Sequence, residues 1–86
     1  MITEQGIISE ITNELNRAEK KFPSWPNDII HASAIVAEES GELTRSALQF
    51  QYEGGSIEDA RTEAIQTAAM AIRFLKNIDE YKLFPK

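Results

Sequence analysis

The chain has 86 residues, enough for one domain (1–86), with no cysteine and a formal net charge of −5. These totals exclude a disulfide framework and thiolate chemistry, and an acidic balance argues against a basic face for nucleic acid. No apolar run approaches the ~18–20 residues of a membrane span. The first residues also lack the basic-then-apolar pattern of a secretory leader, so a cytoplasmic setting with no membrane partner is expected.

The first segment, from about Thr3 to Phe22, carries Ile7, Ile8, Ile11, Leu15, Ala18 and Phe22 at three- and four-residue spacing, which predicts an amphipathic helix. Thr3 is placed to cap it. Glu14, Arg17, Glu19, Lys20 and Lys21 read as its solvated face. The run Phe22-Pro23-Ser24-Trp25-Pro26-Asn27-Asp28 breaks the pattern, because each proline biases its predecessor away from helix. Trp25 in this connector has two readings: a core plug closing the helix pair, or a stacking surface for a planar ligand.

A second helix is predicted from about Asp28 to Tyr52, capped by Asn27 or Asp28 and stopped by Gly54-Gly55. Its expected core stripe is Ile29, Ala32, Val36, Leu43, Ala47 and Phe50. Gly41 in its interior costs up to ~1 kcal/mol against alanine, which points to close approach of another helix or a ligand. Ser56-Ile57-Glu58-Asp59 resembles a capping box opening a third helix, from about Ile57 to Asn77. One of its stripes is Ile57, Ala60, Ala64, Ala68, Ala71, Ile72 and Leu75; the neighbouring one is Glu63, Gln66, Thr67, Met70 and Phe74. The tail from Asp79 to Lys86 is expected to pack on a neighbour rather than extend the helix.

The chemistry concentrates in Glu38-Glu39-Ser40-Gly41-Glu42. Glu39 and Glu42 share a side of the helix, and at about 100° per residue Glu39 falls at the edge of the core stripe. A carboxylate there must be paired, protonated or bound to a cation. Oxygen-rich acidic clusters suit Mg²⁺ or Mn²⁺, and such an ion lets an acidic protein take a polyphosphate. Glu63 and Gln66 are likewise three apart on the third helix. A short glycine hairpin makes the two helices antiparallel neighbours, so the two polar pairs converge if those faces meet, as metal sites in helical bundles do.

Glu38-Glu39-Ser40-Gly41-Glu42-Leu43, followed on the next helix by Glu63-Ala64-Ile65-Gln66, resembles the Glu-Glu-x-x-Glu and Glu-x-x-Asp signature of the MazG-like all-α nucleoside triphosphate pyrophosphatases. The resemblance covers about Ile30 to Leu75, and the third helix looks like that of small single-module members from phages and bacteria. It implies Mg²⁺-dependent hydrolysis of a (deoxy)nucleoside triphosphate to the monophosphate and pyrophosphate, with dGTP or dATP the expected substrates. It implies Glu39, Glu42 and Glu63 as metal ligands, and Glu38 as a further ligand or the base that activates water. Gln66 departs from the family aspartate, and its weaker, neutral amide oxygen either keeps one coordination place or only holds a water or contacts the substrate.

Other positions carry two readings each. His31 projects on the side of Glu38 and Glu42, as a substrate contact or a structural residue. Arg73 and Lys76 are solvated surface groups or approach phosphates; Asn77 is a C-cap or a nucleotide contact. Ile30, Ala34, Ala37 and Leu48 form an additional apolar arc on the second helix. That arc predicts a homodimer or homotetramer, an all-α four-helix bundle of antiparallel helices completed by oligomerisation. The alternative function is a non-catalytic helical oligomer that binds a nucleotide or a partner protein; a plain dimerisation module is a third reading.

Overall fold

The computed structural model describes residues 2–83 as three helices: α1 (Glu4–Lys21), α2 (Ile29–Tyr52) and α3 (Ile57–Lys76). Each starts on a side-chain cap that takes up an otherwise unpaired backbone N–H. Thr3 Oγ1 accepts from Gly6 N at 3.0 Å, Asp28 Oδ1 from Ile30 N at 2.9 Å and Ser56 Oγ from Asp59 N at 3.1 Å. After α2 the backbone turns through Gly54 at φ 73°, a conformation favourable to glycine. Gly55 follows so close to Gln49 that a Cβ on it would stand 2.9 Å from the Gln49 Cβ. This tight turn explains why α2 and α3 form an intimate pair.

The helices run up, down and up. Gln49 late in α2 shares a cleft with Asp59 early in α3, and Ser33 early in α2 shares one with Phe74 late in α3. The α1 helix instead parallels α3: Glu10 pairs with Arg61, and Glu19 with Lys76 at 2.7 Å. Both α1 and α2 pack their backbones on α3 rather than on each other. The third helix is therefore the centre of the domain. Its Ala69 and Met70 join Leu15 and Ala18 of α1 in the core, flanked by Trp25, Ile35, Val36 and Ile72.

The inward face of α2 is rotated from the expected stripe. Ala32 and Ser46 are its buried residues, with Ile35, Val36, Glu39 and Leu43 half-buried between them. Ile29, Ala47 and Phe50 are exposed. The reason is that α2 packs on the single helix α3, so a narrow contact line replaces a broad stripe. On α3, Ile57, Ala64 and Leu75 of the first stripe are exposed, while Met70 of the second is buried. The arc Ile30, Ala34, Ala37 and Leu48 is exposed as well, with Ile30 74% and Leu48 50% accessible. No large side chain among the described residues is fully buried.

The connector and tail close one corner. Arg73, only 5% accessible, donates to the carbonyls of Phe22 (2.7 Å) and Ser24 (3.3 Å), and its guanidinium lies 4.8 Å from the Trp25 ring. Trp25 Nε1 donates to Tyr81 Oη at 3.0 Å, and Tyr81 in turn donates to the Phe74 carbonyl at 2.9 Å. Lys82 N bonds Asn27 O at 3.0 Å, so the tail folds back on the connector, as expected; its last three residues, 84–86, lie outside the described residues.

Candidate functional site

Rotation of α2 has a direct chemical result: Glu39 sits on the inward face, not at its edge. It is preceded by Val36 and followed by Leu43 and Ser46 on the line that meets α3. Burial, first, and then the carboxylates of Glu63, Glu38, Glu42 and Glu14 raise the Glu39 carboxyl above its ordinary range. Acidic side chains from all three helices thus act on one carboxyl. Among the described residues, Glu39 has no ion-pair or side-chain hydrogen-bond partner of its own.

Glu14 is the member that sequence reasoning missed. It was assigned to the solvated face of α1, yet its side chain is 15% accessible and shares a cleft of about 140 Å³ with Glu39, Gln66, Met70 and Arg73. The signal was present: Glu14 stands three residues after Ile11 and four before Ala18, in line with the apolar face. Arg17, at 2.6 Å, partly neutralises it.

Glu42 and Glu63 line an adjoining cleft between α2 and α3, of about 290 Å³, together with Arg45 and Asp59. The acids therefore divide between two neighbouring clefts, with Glu39 acted on by members of both. In the conformation described, no three His, Asp or Glu side chains among the described residues are grouped closely enough to hold one ion. Glu38 and Glu42 are exposed, whereas Glu39 and Glu63 are half-buried. Gln66 opens toward α1, lining clefts with Asn13, Glu14 and Arg17.

The weaker candidates are distributed differently. His31 is exposed in the first turn of α2, seven residues and so roughly 10 Å along the axis from Glu38. Arg73 is not the solvated surface group expected: its buried guanidinium anchors the connector. Lys76 is exposed and pairs with Glu19. Asn77 is the C-cap of α3, and its Nδ2 donates to Arg73 O at 2.8 Å. Trp25 is half-buried against the core, bonded to Tyr81 and covered by Arg73, which matches the core-plug reading.

The close approach expected at Gly41 is not made by another helix among the described residues. A Cβ built there meets nothing within 4 Å, so no element of this chain presses on it. Nearby, Ser33, Val36, Ala37, Ala71, Phe74 and Leu75 line an open apolar groove of about 550 Å³ between α2 and α3. No helix among the described residues is long and apolar enough to cross a membrane. The chain matches no protein-family model, no curated protein and no solved structure with which it was compared.

Proposed function

We propose that this chain is a Mg²⁺-dependent nucleoside triphosphate pyrophosphohydrolase of the MazG-like kind. One observation carries the reading: carboxylates from all three helices converge electrostatically on the inward-facing Glu39. A fold does not keep mutually repelling acids around a half-buried carboxyl for stability, since like charges at helical spacing cost a few tenths of a kcal/mol per pair. The donor set fits a hard dication, being all oxygen. The Glu-Glu-x-x-Glu pattern and Glu63 support the same reading.

Glu39, Glu42 and Glu63 are the proposed ligands, with the Gln66 amide oxygen as a neutral fourth donor. Bound Mg²⁺ would neutralise phosphate charge and orient an in-line attack. Glu38 is solvent-accessible and beside Glu39, as a group that accepts the proton of the attacking water must be. The products are the nucleoside monophosphate and pyrophosphate.

The assembly proposed with it is a homodimer, or a pair of dimers, completing a four-helix bundle. The exposed arc with Ile30 and Leu48 and the apolar groove between α2 and α3 support a second copy there. A small domain with so little buried apolar surface is marginal alone. Sedimentation is expected to give at least twice the 9.7 kDa chain mass.

The test is pyrophosphate release from a panel of NTPs and dNTPs with and without Mg²⁺. Release from at least one nucleotide is expected, dGTP or dATP foremost, and its loss in Glu39→Ala with helix content intact. Absence of release from every nucleotide, or release indifferent to Glu39→Ala, overturns the enzyme reading. A second reading, a non-catalytic oligomer that binds nucleotide, is favoured by Gln66, which is neutral and opens toward α1. It predicts nucleotide binding with no products.

A further inference from the structure

Three of the four arginines have their partners inside the fold. Arg17 pairs with Glu14 and Arg61 with Glu10, while Arg73 donates to the Phe22 and Ser24 carbonyls. Arg45 differs. It lines the 290 Å³ cleft with Glu42, Asp59 and Glu63, yet forms no ion pair or hydrogen bond among the described residues. Arg45 is exposed to solvent, and although three carboxylates share its cleft none lies within 4 Å of its guanidinium.

The cleft also has a distinct chemistry. Every residue lining it is polar or charged, with Gln49 and Thr62 adding neutral hydrogen-bond groups. It offers no aromatic or aliphatic wall for a base. Arg45 is its only cation, one turn beyond Glu42 and so about 4.5 Å further along the α2 axis. Phosphate oxygens suit a free guanidinium as well as carboxylates do. An acidic cleft admits them only when a cation enters too.

We infer that Arg45 is a substrate-binding residue that holds the pyrophosphate portion of a polyphosphate in the cleft between α2 and α3. This rests on the proposed metal-dependent reading of the neighbouring acids, and it assigns the phosphate end of the substrate to the Arg45 side. The base is left to the apolar side of the domain.

The test is calorimetric titration of inorganic pyrophosphate, in Mg²⁺ and in EDTA, into the wild type and three variants. Arg45→Gln removes the charge, Arg45→Lys keeps it without the fork, and Lys20→Gln removes an exposed charge on α1. The wild type is expected to bind pyrophosphate with Mg²⁺, Arg45→Gln about ten- to hundredfold more weakly, and Arg45→Lys in between. Lys20→Gln is expected to match the wild type. Unchanged affinity in Arg45→Gln overturns the assignment, as does an equal loss in Lys20→Gln or a wild type that takes no pyrophosphate. The two readings fail separately. Arg45-dependent pyrophosphate binding without hydrolysis of any nucleotide removes the enzyme and keeps the site. Glu39-dependent hydrolysis with Arg45→Gln binding normally removes only Arg45.

Discussion

Arg73 and Glu39 line the same small cleft, and the fold treats their charges in opposite ways. Arg73 is surrounded by what it needs: two carbonyl acceptors and an indole face, the indole held in turn by Tyr81. Glu39 is surrounded by what it repels, Glu63, Glu38, Glu42 and Glu14, with no partner of its own among the described residues. A buried charge with acceptors of its own belongs to the architecture. A half-buried charge among like charges marks a candidate for chemistry.

The largest effect expected from breaking this comparison is at Arg73. Arg73→Ala leaves two connector carbonyls without their donor and uncovers Trp25, and should cost about 3 kcal/mol. Urea unfolding followed by Trp25 fluorescence reads it; an unchanged midpoint contradicts the anchoring role. Gly41→Ala comes next. With nothing within 4 Å of the new Cβ, it should raise stability by up to ~1 kcal/mol. A melting temperature that falls instead, and does so with a dependence on protein concentration, would show a second chain pressed against that face. Tyr81→Phe keeps the ring 5.0 Å from Phe74 and deletes only the hydroxyl between Trp25 Nε1 and the Phe74 carbonyl. About 1 kcal/mol is expected, read as a lower urea midpoint; full stability would mean that the tail is not held there.

The smallest effect is the pH dependence of Glu39, and its sign is diagnostic. A raised carboxyl holds its proton to higher pH in the folded chain than in the unfolded one. Its contribution to stability is therefore fully present below the unfolded value, about pH 4.3. It is lost as pH rises through that value toward the raised folded one. Glu10 runs the other way: the Arg61 hydrogen bond lowers its carboxyl, so its contribution is present above the unfolded range and lost in acid. Comparing the wild type with Glu39→Gln cancels Glu10. Without metal, Glu39→Gln should gain stability relative to the wild type as pH rises above about 4.3, by a few tenths of a kcal/mol per like-charged neighbour. Thermal melts across that range test it, and a difference that stays flat with pH contradicts the clustered-acid account.

Much of the architecture was legible in the sequence because local chemistry sets it. Thr3, Asp28 and Ser56 cap their helices as their side chains predict, and the glycine pair ends α2. The tail's return was signalled by Tyr81, though not its partners. What could not be read was the helix order in space. Periodicity gives an apolar face, but only packing on α3 decides that Ser46 is inside and Phe50 outside. The same gap hid Glu14: a charged residue on a helix reads as solvated until its neighbours on other helices are known. The burial of Arg73, outside both its surface and its phosphate reading, is hidden for the same reason, since its acceptors come from the connector some fifty residues earlier.

The central claim is that Glu39 and the acids around it form a cation site, and titration of Mg²⁺ into the metal-free protein at neutral pH tests it directly. Saturable binding, and its loss in Glu39→Gln, are predicted. Binding that survives Glu39→Gln unchanged, or no binding to a folded wild type, contradicts it.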